Sequence, residues 1–172
     1  MSDRYAGRIY VGGALPARKL AALAKAIHAE DPDIEMNWSL GDDRRVSAAL
    51  LRDWLKRRDH PRPLHLYASE LIDGSFAVLE SWLCANGMSY LRHSDSCCDV
   101  EAEIVGFVDG RRLRYDANNA GDVMVHVDRV QRAYDALRQG RVFDAMDALS
   151  AIVPVVDEVP PFTVEYAGGR LR

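Results

Sequence analysis

Apolar and polar positions follow two different rhythms along this chain, and the rhythms divide it into strands and helices. Arg8-Ile9-Tyr10-Val11 reads as a short strand, ended by Gly12-Gly13, which permit a turn that a bulky residue would resist. Pro16 suits a first helical turn, and Leu20, Leu23, Ala24 and Ile27 then recur at helical spacing until Asp31-Pro32-Asp33. Ile34, Met36 and Trp38 alternate with polar neighbours and predict a second strand, closed by Gly41-Asp42-Asp43. Val46, Leu50, Leu51, Trp54 and Leu55 form the apolar stripe of another helix, which His60-Pro61-Arg62-Pro63 ends.

Leu64 to Ala68 predicts a strand, and Asp73-Gly74-Ser75 leads into a helix with Phe76, Val78, Leu79, Trp82 and Leu83 apolar. Asn86-Gly87 supplies its left-handed stop, and Met88-Ser89-Tyr90-Leu91 restarts a strand. Ile104–Val108 and Arg111–Tyr115 flank Asp109-Gly110, a dipeptide that favours the positive φ of a tight hairpin. In the last third, Val127, Val130, Tyr134 and Leu137 suit one helix; Val142, Met146, Leu149 and Val153 suit a second after Gly140, making a helical hairpin. Pro154, Pro160 and Pro161 interrupt the tail, Phe162–Tyr166 predicts an edge strand, and Ala167 to Arg172 is expected to fray. The element order predicts an α+β or α/β fold over one domain, 1–172, with a single sheet of about four to six strands covered by helices.

Composition narrows the class without naming a reaction. The 172 residues are 48% hydrophobic and 28% charged, as in ordinary globular proteins, which excludes a disordered or fibrous chain. A net charge of -4 fits neither a basic nucleic-acid binder nor a whole-molecule acidic mimic of DNA. With no apolar leader after Met1 and no run of about 18 apolar residues, a cytoplasmic protein without a membrane partner is expected. Cys84, Cys97 and Cys98 lack disulfide-framework spacing and suit reduced thiols.

The densest polar cluster is Arg92-His93-Ser94-Asp95-Ser96-Cys97-Cys98-Asp99, expected to be a loop after a strand. His93 and Asp95 are candidate acid–base residues and Cys97 a candidate nucleophile, because a thiolate needs a base and a positive field. A hydrogen-bonded polar loop explains the same residues without chemistry. The cluster contains zinc-ligand types, but adjacent cysteines point apart in extended chain, so no metal is assigned. Gly12-Gly13 between strand and helix has the placing of a phosphate-binding turn, yet neither the G-x-G-x-x-G fingerprint nor a P-loop sequence occurs, and no cofactor is expected.

Arg44, Arg45, Arg52, Lys56, Arg57, Arg58 and Arg62 make the most basic region, a candidate nucleic-acid face. Asp42, Asp43, Asp53 and Asp59 are interleaved, as in a solvated helix with i,i+4 pairing. His65 with Glu70 and Asp73 is a further acid–base candidate, while Trp38, Trp54 and Trp82 fall in apolar stripes and suit a core.

From Leu64 to about Arg114, the run Leu64-His65-Leu66-Tyr67, Gly74-x-Phe76-x-x-Leu79-Glu80, Leu83, Gly87-Met88-x-Tyr90 and Arg92-His93-Ser94-Asp95 resembles an uncharacterised family of small bacterial and mobile-element proteins. Ile9-Tyr10-Val11-Gly12-Gly13 with Leu15-Pro16 is similar too, so the resemblance covers about half the chain. That family pattern carries tyrosine or a charged residue where this chain has Cys97-Cys98, which implies no required cysteine chemistry. What the resemblance implies is a phage- or plasmid-type accessory protein that binds a host complex. The expected function is therefore non-enzymatic binding of another protein or nucleoprotein complex, for example as an inhibitor of a host defence complex. Its contact residues would come from Arg92, His93 and Asp95 or from Arg52, Lys56, Arg57 and Arg58. The alternatives are a small enzyme using His93, Asp95 and Cys97, and a nucleic-acid module built on Arg44 to Arg62.

Overall fold

The computed structural model describes residues 4–31, 33–36, 46–96, 101–150, 158–166 and 169–171. Its centre is a long strand, β1 (Arg4–Pro16), followed by a 3-10 turn at Ala17–Lys19 and helix α1 (Leu20–Glu30). Then come β2 (Glu35–Met36), α2 (Ala48–Arg57), β3 (Leu64–Ile72), α3 (Ala77–Ala85), β4 (Ser89–Ser94), β5 (Glu103–Val108) and β6 (Arg111–Asp116). Helices α4 (Val127–Arg138) and α5 (Val142–Ser150) precede β7 (Phe162–Tyr166) and β8 (Gly169–Leu171). The fold is α+β, with an open sheet in the order β2-β3-β1-β4-β5-β6. These neighbours are antiparallel. Among the described residues no helix is long and apolar enough to cross a membrane.

Period-two patterning puts Ile9, Val11, Leu64, Leu66 and Ala68 on one face of the sheet, where α1, α2 and α3 cover them. Leu20, Leu23 and Ile27 of α1, Leu51, Trp54 and Leu55 of α2, and Leu79 and Leu83 of α3 complete that core, all buried. Local chemistry starts and links these helices. Ser47 caps α2 by accepting the Leu50 N–H at 3.1 Å. Glu30, the last residue of α1, accepts the Leu79 N–H at 2.9 Å and so ties α1 to the first turn of α3. On the other face Ala102, Ile104 and Ala117 form a second, smaller cluster with Leu91, Tyr115 and Val123.

The Asp109-Gly110 hairpin forms as its residues dictate, with φ of 49° and 81° and Val108 opposite Arg111. Gly12-Gly13 does not end the first strand. A Cβ on Gly12 would lie 1.8 Å from the Pro160 carbonyl oxygen, and Gly13 has φ +102°. Here the glycines let the C-terminal segment close on β1, and Gly13–Pro16 pair in parallel with Phe162–Glu165. β7 is therefore no edge strand, since β8 pairs its other side, and Gly169–Leu171 is part of the sheet rather than a frayed tail. Pro16 ends β1 and caps the 3-10 turn instead of opening α1. Within the alternation at Ile34, Met36 and Trp38 the described residues form β2, while Trp38 and Gly41 to Arg45 lie outside them.

Candidate functional site

The polar run that begins at Arg92 is the end of β4, not a loop. Its alternation sends Arg92 and Ser94 to the helix-covered face and His93 to the other, opposite Arg8 of β1. Arg92 is 4% exposed. Its Nη2 lies 2.6 Å from Glu103 Oε1, its Nη1 donates to the Gly74 carbonyl at 2.8 Å, and its Nε makes an ionic contact with Glu80 Oε1 at 2.9 Å. Glu80 also accepts from the Phe76 N–H and the Tyr90 hydroxyl, each at 3.1 Å, while Glu103 meets Arg114 at 2.8 Å. Burial, reinforced by the Glu80 carboxylate and then Cys84, raises the Tyr90 phenol well above its usual range. Arg92 thus joins β4, β5 and the start of α3 from inside, which corrects its expected role as a contact residue.

His93 is 5% exposed, and both ring nitrogens are committed. Arg8 Nε donates to Nδ1 at 3.0 Å, so Nε2 carries the proton and donates to the Asn118 carbonyl at 2.8 Å, a neutral tautomer assigned from the network. Asp95 Oδ1 stands 3.6 Å from Nδ1, too far for a hydrogen bond. Arg8 Nη2 continues to the Ala120 carbonyl at 3.1 Å, and Asn119 Oδ1 accepts from the Ser96 N–H and hydroxyl at 2.7 and 2.8 Å. The 117–123 loop is clasped over this end of the sheet by hydrogen bonds. To act as a base, His93 would first have to release Arg8. Cys97, with Cys98 and Asp99, lies outside the described residues. The sequence pattern gives no sign that Arg8 and Asn118 meet His93, because they are 85 and 25 positions away; the register of β1 on β4 brings Arg8 there, and the 117–123 loop brings Asn118.

The basic helix divides. Arg52, Lys56 and Arg57 are exposed, but Arg57 makes two 3.0 Å contacts with Asp53, one turn earlier. Arg58 is buried beyond the helix end, its guanidinium 5.1 Å from the Trp54 ring centroid. Its Nη1 donates to the Arg62 and Phe162 carbonyls at 3.2 and 2.7 Å. Burial first, and the neighbouring Arg62 charge second, lower its pKa. Arg58 thus fastens β7 to the end of α2, which corrects its expected place on a contact face; Arg44 and Arg45 lie outside the described residues. His65 stacks on Tyr10 with ring centroids 4.4 Å apart, and burial followed by the Arg8 charge lowers its pKa. Glu70 pairs with Arg4 at 3.0 Å, and Asp73 sits in a positive-φ turn.

The exposed apolar surface is elsewhere. Of the fourteen large hydrophobic side chains exposed among the described residues, ten lie between Met124 and Leu149. Helices α4 and α5, joined by three residues, pack on each other and only marginally on any other element. Their buried positions are small, namely Ala133, Ala136 and Ala145. The large members of both stripes face solvent instead, with Val127 77% and Phe143 83% exposed. The sequence does hold a signal for this surface: alanines occupy the seam positions, so each helix carries more apolar side chain than a two-helix pair can bury.

No protein-family model matches the chain, and comparisons with curated proteins and with solved structures find no match.

Proposed function

We propose that the protein acts by protein–protein association, and that the α4–α5 hairpin is its docking element. One observation carries this reading: the exposed large apolar side chains are concentrated on a hairpin that packs little against the sheet. A monomeric fold rarely leaves so contiguous an apolar surface without a use, because its burial favours association at roughly 25 cal/mol per Å2. The polar end of β4 supports this reading from the other side. Its arginine and histidine are engaged in holding the sheet together, so they are not poised for chemistry.

In its finer form the reading is an accessory protein of phage or plasmid type that engages a host complex. Affinity capture of the tagged chain from its native host lysate, with and without nuclease, tests both forms. A stoichiometric protein, a further copy of the chain included, that survives nuclease and is lost with Phe143→Glu is the expected result. Capture that is indifferent to Phe143→Glu, or that disappears with nuclease, removes the hairpin as the docking element.

A further inference from the structure

We infer that the hairpin's partner is a second copy of this chain, two hairpins closing into a four-helix bundle about a two-fold axis; this rests on the hairpin being the docking element.

The geometry of the stripes comes first. At ~100° per residue, Leu137, Val130 and Tyr134 follow the buried Ala133 round α4 in one angular sense. Leu149, Val142 and Met146 follow the buried Ala145 round α5 in the same sense. Because the two helices run antiparallel, equal senses put both stripes on one side of the pair. The result is a continuous apolar platform two helices wide, the half of a bundle that an identical half completes.

Area and charge agree. The eight exposed apolar side chains of the two helices, Val127 to Leu149, present on the order of 800–900 Å2, close to the ~800 Å2 per partner of a stable interface. Across Val127–Ser150 there are four arginines and four aspartates, a net charge of zero in a chain whose total is -4. A surface of that balance does not select a strongly acidic or basic partner. It does suit itself. α4 has three arginines against two aspartates, and α5 with the preceding Arg141 has one arginine against two aspartates, so setting α4 beside the partner's α5 opposes unlike net charges. Arg141 already pairs with Asp144 at 2.7 Å, and Gln131 with Asp135 at 2.9 Å, so part of the polar rim is already paired.

Sedimentation equilibrium of the full chain from about 1 to 100 µM, in about 150 mM salt, tests the inference. The expected result is a concentration-dependent doubling of the 19.2 kDa mass. Tyr134→Glu and Met146→Glu should each weaken it by about tenfold or more, whereas Val78→Glu, an exposed apolar residue of α3, should leave it unchanged. A single 19.2 kDa species at every concentration overturns the inference, as does a dimer indifferent to both hairpin substitutions. A photo-crosslinking residue in place of Phe143, used in host lysate, separates the two levels. Crosslinks from a monomeric chain to a different protein sink the second copy but keep the docking element, and no crosslinks from a monomer sink both.

Discussion

The helix-covered face of the sheet and the α4–α5 hairpin are built from similar letters with opposite outcomes. In the first, Leu20, Leu23, Leu51, Leu79 and Leu83 meet Ile9, Val11, Leu64 and Leu66, and all are fully buried. In the second, Val130, Tyr134, Leu137, Val142 and Met146 follow the same spacing, yet each is about half exposed or more. The difference is the number of layers. A sheet gives every helix a broad apolar surface to lie on, whereas two helices alone share one seam, and here that seam is lined with alanine. Helical periodicity states that a stripe must be covered, and the architecture decides whether the chain itself covers it.

Substitutions can break that contrast, beginning inside the body. Arg92→Leu leaves the part-buried Glu80 and Glu103 without their shared cation, although Glu103 keeps Arg114, and should cost about 3 kcal/mol of stability in urea denaturation, the lower end for a broken buried pair. A cost near zero would show that Arg92 adds little to the body. Leu66→Ala, in the fully buried centre of the sheet, should cost about 2–5 kcal/mol by the same measurement. A much smaller loss would mean that the covered face is packed no better than the hairpin.

The uncovered side of the sheet contributes a pH dependence. The folded state lowers the His65 pKa below its ordinary 6.5, so the unfolded chain binds the extra proton and stability falls as pH drops through 6.5 towards the folded value. Glu30 is shifted the other way, its pKa raised from 4.5 mainly by burial, so it destabilises the fold at neutral pH and that cost eases as pH falls towards 4.5. Comparing melts from pH 7.5 to about 6 isolates the histidine. His65→Phe, which keeps a ring on Tyr10, should remove a slope of at most about 1.4 kcal/mol per pH unit. An unchanged slope would assign it to another group. The smallest expected effect sharpens the contrast most: Phe143→Ser should change stability by no more than about 0.5 kcal/mol at concentrations where the chain is monomeric.

Much of the fold was legible because it follows from local patterns. The Asp109-Gly110 turn, the helical runs after Leu20 and Ala48, and the paired helices after Val127 all form where the residues place them. What could not be read was pairing between distant parts. Gly12-Gly13 has the local signature of a turn, but its use depends on Pro160, nearly 150 residues away. Arg92 and Arg58 have the letters of a contact surface and the surroundings of a core, and only Glu80, Glu103 and the carbonyl of Phe162 decide between them. His93 has the letters of an acid–base residue; the partner that occupies it, Arg8, lies 85 positions earlier in the chain.

The parallel pairing of β1 with β7 imposes an order on synthesis. β1 is completed by β7, which follows both helices of the hairpin in the chain, so Gly13–Pro16 must wait for Phe162–Glu165 to emerge, while every element of the hairpin is already available. At roughly 5–20 residues per second, the nascent chain spends several seconds with Leu15 and Trp54 lacking the Phe162 and Val164 side chains that will join them in the core. The α4–α5 hairpin is thus translated before the sheet it follows is closed.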